Sequence, residues 1–218
     1  MRASLPQTHR HTQGFTLIEI IVSLALFTVV VTIAVGALLV LISSNKQLQD
    51  EQNTLSNLAF ALDSMTREIR TGTDYYCVNS GSATGLFGSG ALPTGVGDCT
   101  NANSANANFH GIAFTEGGDS ISRNSATPSD RIGYYFDTNI NQIYRRLSGQ
   151  EGQPIVSDDI YIADAQFFVT GSSRSDNEQP KITIVIRAYN SEADFLADST
   201  GEQAHIIQST VTQRALDI

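Results

Sequence analysis

One acid, Glu19, stands at the mouth of an apolar run that begins Gly14-Phe15-Thr16-Leu17-Ile18-Glu19 and continues to Ile42. A carboxylate inside a membrane-length hydrophobic segment costs about 2.5–3.5 kcal/mol on insertion scales, so its presence implies a partner that neutralises it. The other residues with chemical potential are scattered. Asp137-Thr138-Asn139-Ile140-Asn141 imitates the opening of a calcium loop, but Gln142 replaces the turn glycine and Ser148 stands where the bidentate glutamate belongs. A plain hairpin turn is expected there. Asp158, Asp159 and Asp164 offer further carboxylates for calcium, and solvated acids bordering a strand are the favoured reading. Of the four histidines, His9 and His11 fall in the N-terminal leader, and His110 and His205 are too few and too far apart in sequence to argue for zinc. No nucleophile motif, phosphate-binding glycine loop or Cys-x-x-Cys pair occurs, so no catalytic function, cofactor or metal is expected. Tyr75 and Tyr76 read either as a contact patch or as packing at a domain edge.

Cys77 and Cys99 flank a Gly/Ser-rich stretch, and they are free to oxidise if the chain beyond the apolar run lies outside the cytoplasm. A disulfide between them is expected; in the chain-entropy model, closing such a loop stabilises by roughly 3 kcal/mol. The 218 residues suffice for one ordinary domain plus an appendage, and the 41% hydrophobic content is concentrated towards the N-terminus. Formal charge is −9; the first 14 residues hold Arg2, Arg10 and no acid, which leaves residues 15–218 two units more negative, at −11. Such a surface repels phosphate, so direct nucleic-acid binding is not expected.

These residues must be positioned by a helix and a sheet. Ile20 to Asn45 contains no charged residue, and its dense core from Ile20 to Ile42 exceeds the roughly 20 residues that span a bilayer. The apolar core is too long for a secretory signal and runs straight into Ser43-Ser44-Asn45-Lys46, so removal after it is not expected. The basic leader predicts a cytoplasmic N-terminus, with everything from about Lys46 outward. Beyond the run, Leu48, Leu55, Leu58, Leu62, Met65 and Ile69 recur at spacings of 7, 3, 4, 3 and 4, the stripe of an amphipathic helix. With no proline between Phe15 and Leu92 and Gly36 the one glycine between residues 15 and 71, a single helix over 15–71 is predicted. It divides into a transmembrane part, 15–45, and an amphipathic part, 46–71. Residues 72–108 read as a Gly/Ser/Asn-rich loop. Residues 109–218 carry strand-like runs at 111–115, 131–137, 140–147, 160–170, 181–189 and 204–216, which predict one antiparallel sheet. A helix packed on that sheet is an α+β arrangement.

Gly14-Phe15-Thr16-Leu17-Ile18-Glu19, behind a short basic leader and ahead of a long apolar helix, resembles the processing signal of type IV pilins and type II secretion pseudopilins. The resemblance implies that a membrane-embedded prepilin peptidase removes residues 1–14, cutting between Gly14 and Phe15, and methylates the new amine. Glu19, then the fifth residue, would neutralise the Phe15 amine of a neighbouring subunit and set axial register. Implied partners are the peptidase, other pilin or pseudopilin subunits, an inner-membrane assembly platform and the lipid bilayer. The implied location is the cytoplasmic membrane in a single pass, then a filament. Many major pilins carry a proline in the first helix; this chain has none, and Gly36 reads equally as a soft point or a close-packing position. The absence favours a minor subunit, with a major pilin and a minor pilin serving DNA uptake as alternatives. The outline of residues 60–218, with Arg67-Glu68-Ile69-Arg70 ending the helix and Tyr134-Tyr135 leading the hairpin, is loosely similar to the J-type minor pseudopilins. From a different class, a single-pass anchored binding module predicts no cleavage after Gly14.

Overall fold

A computed structural model describes residues 14–77, 87, 91–93, 95–100, 109–116, 131–173, 178–201 and 203–214. One helix, α1 (Leu17–Thr71), is followed by strands β1 (Thr73–Cys77), β2 (Gly111–Thr115), β3 (Arg131–Asp137), β4 (Gln142–Leu147), β5 (Gln153–Pro154), β6 (Tyr161–Thr170) and β7 (Lys181–Tyr189). A short helix, α2 (Glu192–Ala197), and strand β8 (His205–Thr212) complete the order. The chain forms two compact units, Met1–Gln49 and Asp50–Ile218.

In the first unit every described residue is exposed, as an all-round apolar helix must be when nothing in its own chain covers it. An 18-residue window in α1 reaches a mean hydropathy of 2.9, long and apolar enough to cross a bilayer. Ser23, Thr28, Thr32 and Ser43 do not interrupt it, because their hydroxyls bond back to a carbonyl one turn earlier, as Ser23 does to Glu19 O at 2.7 Å and Thr32 to Thr28 O at 2.8 Å.

The second unit is the pilin-like α+β body: the C-terminal half of α1 packed on antiparallel sheets. Of the predicted stripe, Leu58, Met65 and Ile69 are fully buried and Leu62 nearly so, whereas Leu48 and Leu55, nearer the membrane-length part, are exposed. Each such side chain contributes about 1.5–3 kcal/mol on burial. One predicted sheet is in fact two: β1-β2-β3-β4-β5 and β6-β7-β8, all neighbours antiparallel. The strand-like runs were legible, but periodicity within a strand carries no record of which strands pair. The core between the sheets and the helix joins Ile132, Tyr134 and Phe136 of β3 to Phe167 and Val169 of β6 and to Ile182, Ile184 and Ile186 of β7.

Strand β3 is buried along its whole length because its other face is also covered. Gly133 and Tyr135 point there, and Phe87 and Leu92 pack with Tyr135 in a second cluster. A Cβ on Gly133 would meet Leu92 at 2.9 Å and Phe87 at 3.0 Å, so only glycine lets this layer close. The expectation that 72–108 is loop needs correction at its start, where Thr73–Cys77 forms edge strand β1. Its Thr-Asp-Tyr-Tyr-Cys sequence has β propensity, hidden in the sequence by the Gly-rich tract that follows. The remainder of that segment falls partly outside the described residues.

Three polar fixtures hold the helix end and the first sheet. Glu68 accepts from Arg145 Nε at 2.9 and 3.1 Å and from the Tyr134 hydroxyl at 2.7 Å. Hydrogen bonding to Glu68 raises the Arg145 pKa, and burial followed by the Glu68 hydrogen bond pushes the Tyr134 phenol well above its ordinary range. The Tyr75 hydroxyl reaches the carbonyls of Ile69 at 2.6 Å and Gly72 at 2.7 Å, closing the helix C-terminus. Arg131, fully buried, donates to the carbonyls of Asp74 at 3.0 Å and Ala113 at 3.2 Å; burial pulls its pKa down to about 10, against the pull of Asp74.

Candidate processing and assembly site

The segment around Glu19 is organised by a helix cap. Thr16 precedes the helix, and its Oγ1 accepts from the Glu19 N–H at 3.3 Å while its carbonyl accepts the same N–H at 3.1 Å. Thr16-x-x-Glu19 thus has the spacing of a capping box, with an acid in the first turn where the helix dipole favours negative charge. Phe15 and Ile20 occupy the positions of a hydrophobic staple around that cap. The Thr-x-x-Glu spacing of this cap is present in the sequence, where the acid draws the eye and Thr16 does not.

Phe15, Glu19, Ile20, Ser23, Leu24 and Phe27 line one shallow, open face of the helix. Phe15 is 80% exposed and Leu24 and Phe27 more than 60%. A carboxylate set among exposed apolar side chains, with Ser23 already engaged to the backbone, can receive a cationic group from another molecule as that molecule covers the apolar surface. Gly14 has nothing within 4 Å of the position its Cβ would take, and neither has Gly36.

Cys77 and Cys99 form the expected disulfide, with Cα atoms 5.8 Å apart. Its placement was not foreseeable: Cys77 ends β1 of the first sheet, whereas Cys99 exchanges two backbone hydrogen bonds of 2.9 Å with Val169 of the second. The bond therefore ties β1 of the first sheet to a residue that is hydrogen-bonded to β6 of the second.

The remaining candidates resolve into structural roles. Asp137 accepts from the Asn139 backbone N–H at 2.9 Å and side-chain amide at 3.1 Å, a local turn, and Asn141 takes the left-handed conformation at φ 56° that closes the hairpin. Asp164 is engaged by Gln166 at 2.7 Å and by His110 Nε2 at 3.1 Å, which ties the segment leading into β2 to β6. Asp158 and Asp159 border an open cleft with Asn139, Asn141 and Glu192, yet no group of three or more His, Cys, Asp or Glu suited to a metal occurs among the described residues. His205 pairs with Asn190 at 3.1 Å. Tyr75 is core and Tyr76 packs on the Phe87–Leu92 cluster, so the packing alternative holds for this pair. His9 and His11 lie outside the described residues.

The family model described as Prokaryotic N-terminal methylation motif matches residues 9–35, the span that holds Gly14, Phe15, the Thr16 cap and Glu19. No curated protein and no solved structure matches the chain. The chain thus joins a capped apolar helix, similar over residues 9–35 to that methylation motif, to an α+β body.

Proposed function

We propose that the chain is a minor subunit of a type IV pilus or type II secretion pseudopilus. It is made as a precursor, held in the cytoplasmic membrane with its leader inside, cut between Gly14 and Phe15 by a prepilin peptidase, and methylated on the Phe15 amine. The observation that carries this reading is the coincidence of the matched motif with a fully exposed apolar helix bearing one acid at its capped start. On assembly the exposed surface from Phe15 to Ile42 leaves lipid for neighbouring helices, where packing supplies the attraction. Glu19 pairs with the methylated amine of a neighbour. Coulomb attraction is large in a low dielectric, but desolvation of both charges offsets much of it, so the pair sets register more than it adds stability.

The absence of a helix proline supports the minor role, as does the loose similarity of residues 60–218 to the J-type minor pseudopilins. The test is quantitative mass spectrometry of sheared filaments and of the cell envelope. The expected result is an N-terminal peptide beginning at Phe15, at a copy number far below that of another pilin-type subunit. Dominance in filaments would make this the major pilin. An intact leader in both fractions would overturn the pilin reading and leave an anchored binding module.

A further inference from the structure

In the second unit three segments surround an open cleft of about 500 Å³: the β3–β4 turn with the start of β4, the residues leading into β6, and the start of α2. Contacts within the body fix its walls. Ile162 N–H donates to Asn141 O at 3.3 Å, which ties the turn to β6. Phe195 of α2 stacks on Tyr161, ring centroids 4.7 Å apart, and Tyr135 stacks on Tyr144 at 5.4 Å. Tyr144 and Tyr161, both half-buried, thus line the cleft in set positions.

Unpaired charge and a buried donor decide what it takes. Asp158, Asp159 and Glu192 border the cleft, all exposed, and among the described residues no cation pairs with any of them. Burial first and the Glu192 charge second raise the Tyr161 phenol, which sets that carboxylate near the ring. The three acids do not converge on one point that could hold a metal ion, so separate cationic groups suit them. Gln142 is a different kind of demand. It is only 5% exposed, and its Oε1 accepts the Ile143 N–H at 3.0 Å, which fixes the orientation of the carboxamide. Its Nε2 has no partner among the described residues and is left for the cleft that the side chain lines. A nearly buried donor without an acceptor costs about 1–3 kcal/mol, so an occupant that brings an acceptor is favoured.

A metal ion lacks the spread for these carboxylates, a polyamine lacks the acceptor for Gln142, and a neutral saccharide brings no charge. A peptide with two basic side chains has every part: ammonium or guanidinium groups for the acids, methylene stems for the tyrosine rings, and a main-chain carbonyl for Gln142 Nε2. A second copy of this chain does not supply such a segment. Its closely spaced cations are Arg67 with Arg70 and Arg145 with Arg146. The first two lie on α1, where Arg67 is paired with Asp63; of the second two, Arg145 is held by Glu68 and Arg146 is buried. We infer that the cleft binds an extended segment of a different protein carrying two closely spaced Lys or Arg residues. This goes beyond the fibre-subunit reading and does not depend on it.

The test titrates the full-length protein, in a neutral detergent at low ionic strength, with a blocked Gly-Lys-Ala-Lys-Gly peptide. Binding should shift the side-chain amide resonances of Gln142. It should weaken roughly ten-fold when Asp158→Asn, Asp159→Asn and Glu192→Gln are combined, with the urea midpoint unchanged because these acids are exposed. Putrescine, which has two charges and no acceptor, should bind roughly ten-fold more weakly than the peptide, and Gly-Glu-Ala-Glu-Gly should not bind. Should the triple variant fold poorly, the comparison of the three ligands on the unsubstituted protein still decides. No binding of the lysine peptide, equal binding of putrescine or of the glutamate peptide, undiminished affinity in a folded triple variant, or unmoved Gln142 resonances overturns the peptide site. Shifts of Gln142 produced by calcium or by a neutral chitin oligosaccharide, with none from the peptide, overturn it in favour of that ligand.

Discussion

Glu68 accepts three hydrogen bonds from Arg145 and Tyr134, whereas Glu19 sits among exposed apolar side chains on the same helix. The surroundings assign different tasks to the two carboxylates. Glu68→Ala leaves a half-buried guanidinium without its partner and should destabilise the body by about 1–3 kcal/mol, read from the urea midpoint of the full-length protein in detergent. Glu19→Ala touches no core contact, so the chain should be cut and methylated normally and still enter fibres poorly; wild-type incorporation would refute the register role. Tyr134 gives a pH signature. Its phenol titrates above the ordinary value of 10.0 when folded, so its contribution to stability is complete below that value and is lost as pH rises beyond it. Tyr134→Phe should lower stability at neutral pH and flatten this alkaline loss, measured as unfolding midpoints between about pH 8 and 11.

The elements meet at tight corners, and there substitutions of one atom group matter. Between α1 and β1 stands Gly72, where an added Cβ would run into the ring of Phe114, itself fully buried. Gly72→Ala should overpack the corner and cost about 1–3 kcal/mol, visible as a lower urea midpoint. Replacing both Cys77 and Cys99 by Ser should cost about 3 kcal/mol and loosen the second sheet from the first, seen as faster amide exchange in β6 than in β7. The helix and six strands were legible because their apolar spacings of 3–4 and 2 are local. Division into two sheets was not, since pairing is decided between distant segments. Phe87 and Leu92 were lost in a Gly/Ser-rich tract, and the two-residue β5 and the short α2 lack the length for a periodic signal. At the candidate site the acid was legible because it is rare in such a run; the cap at Thr16 was overlooked beside it.

For the whole molecule, an acidic balance of −9 sets the expectation for nucleic acid. The full-length protein should show no salt-dependent retention of duplex DNA even at low ionic strength, measured by filter binding. One feature of the covalent topology bears on mechanics. Helix α1 ends at Thr71, and six residues later Cys77 is bonded to Cys99, which is laddered to β6. Tension arriving along the C-terminal turns of the helix loads β1 first and meets the disulfide at its far end, which passes the load to Cys99 and its two hydrogen bonds with β6. The 22-residue separation between the cysteines is withdrawn from the load path, a contour of about 70 Å that extends under pulling only when the bond is reduced.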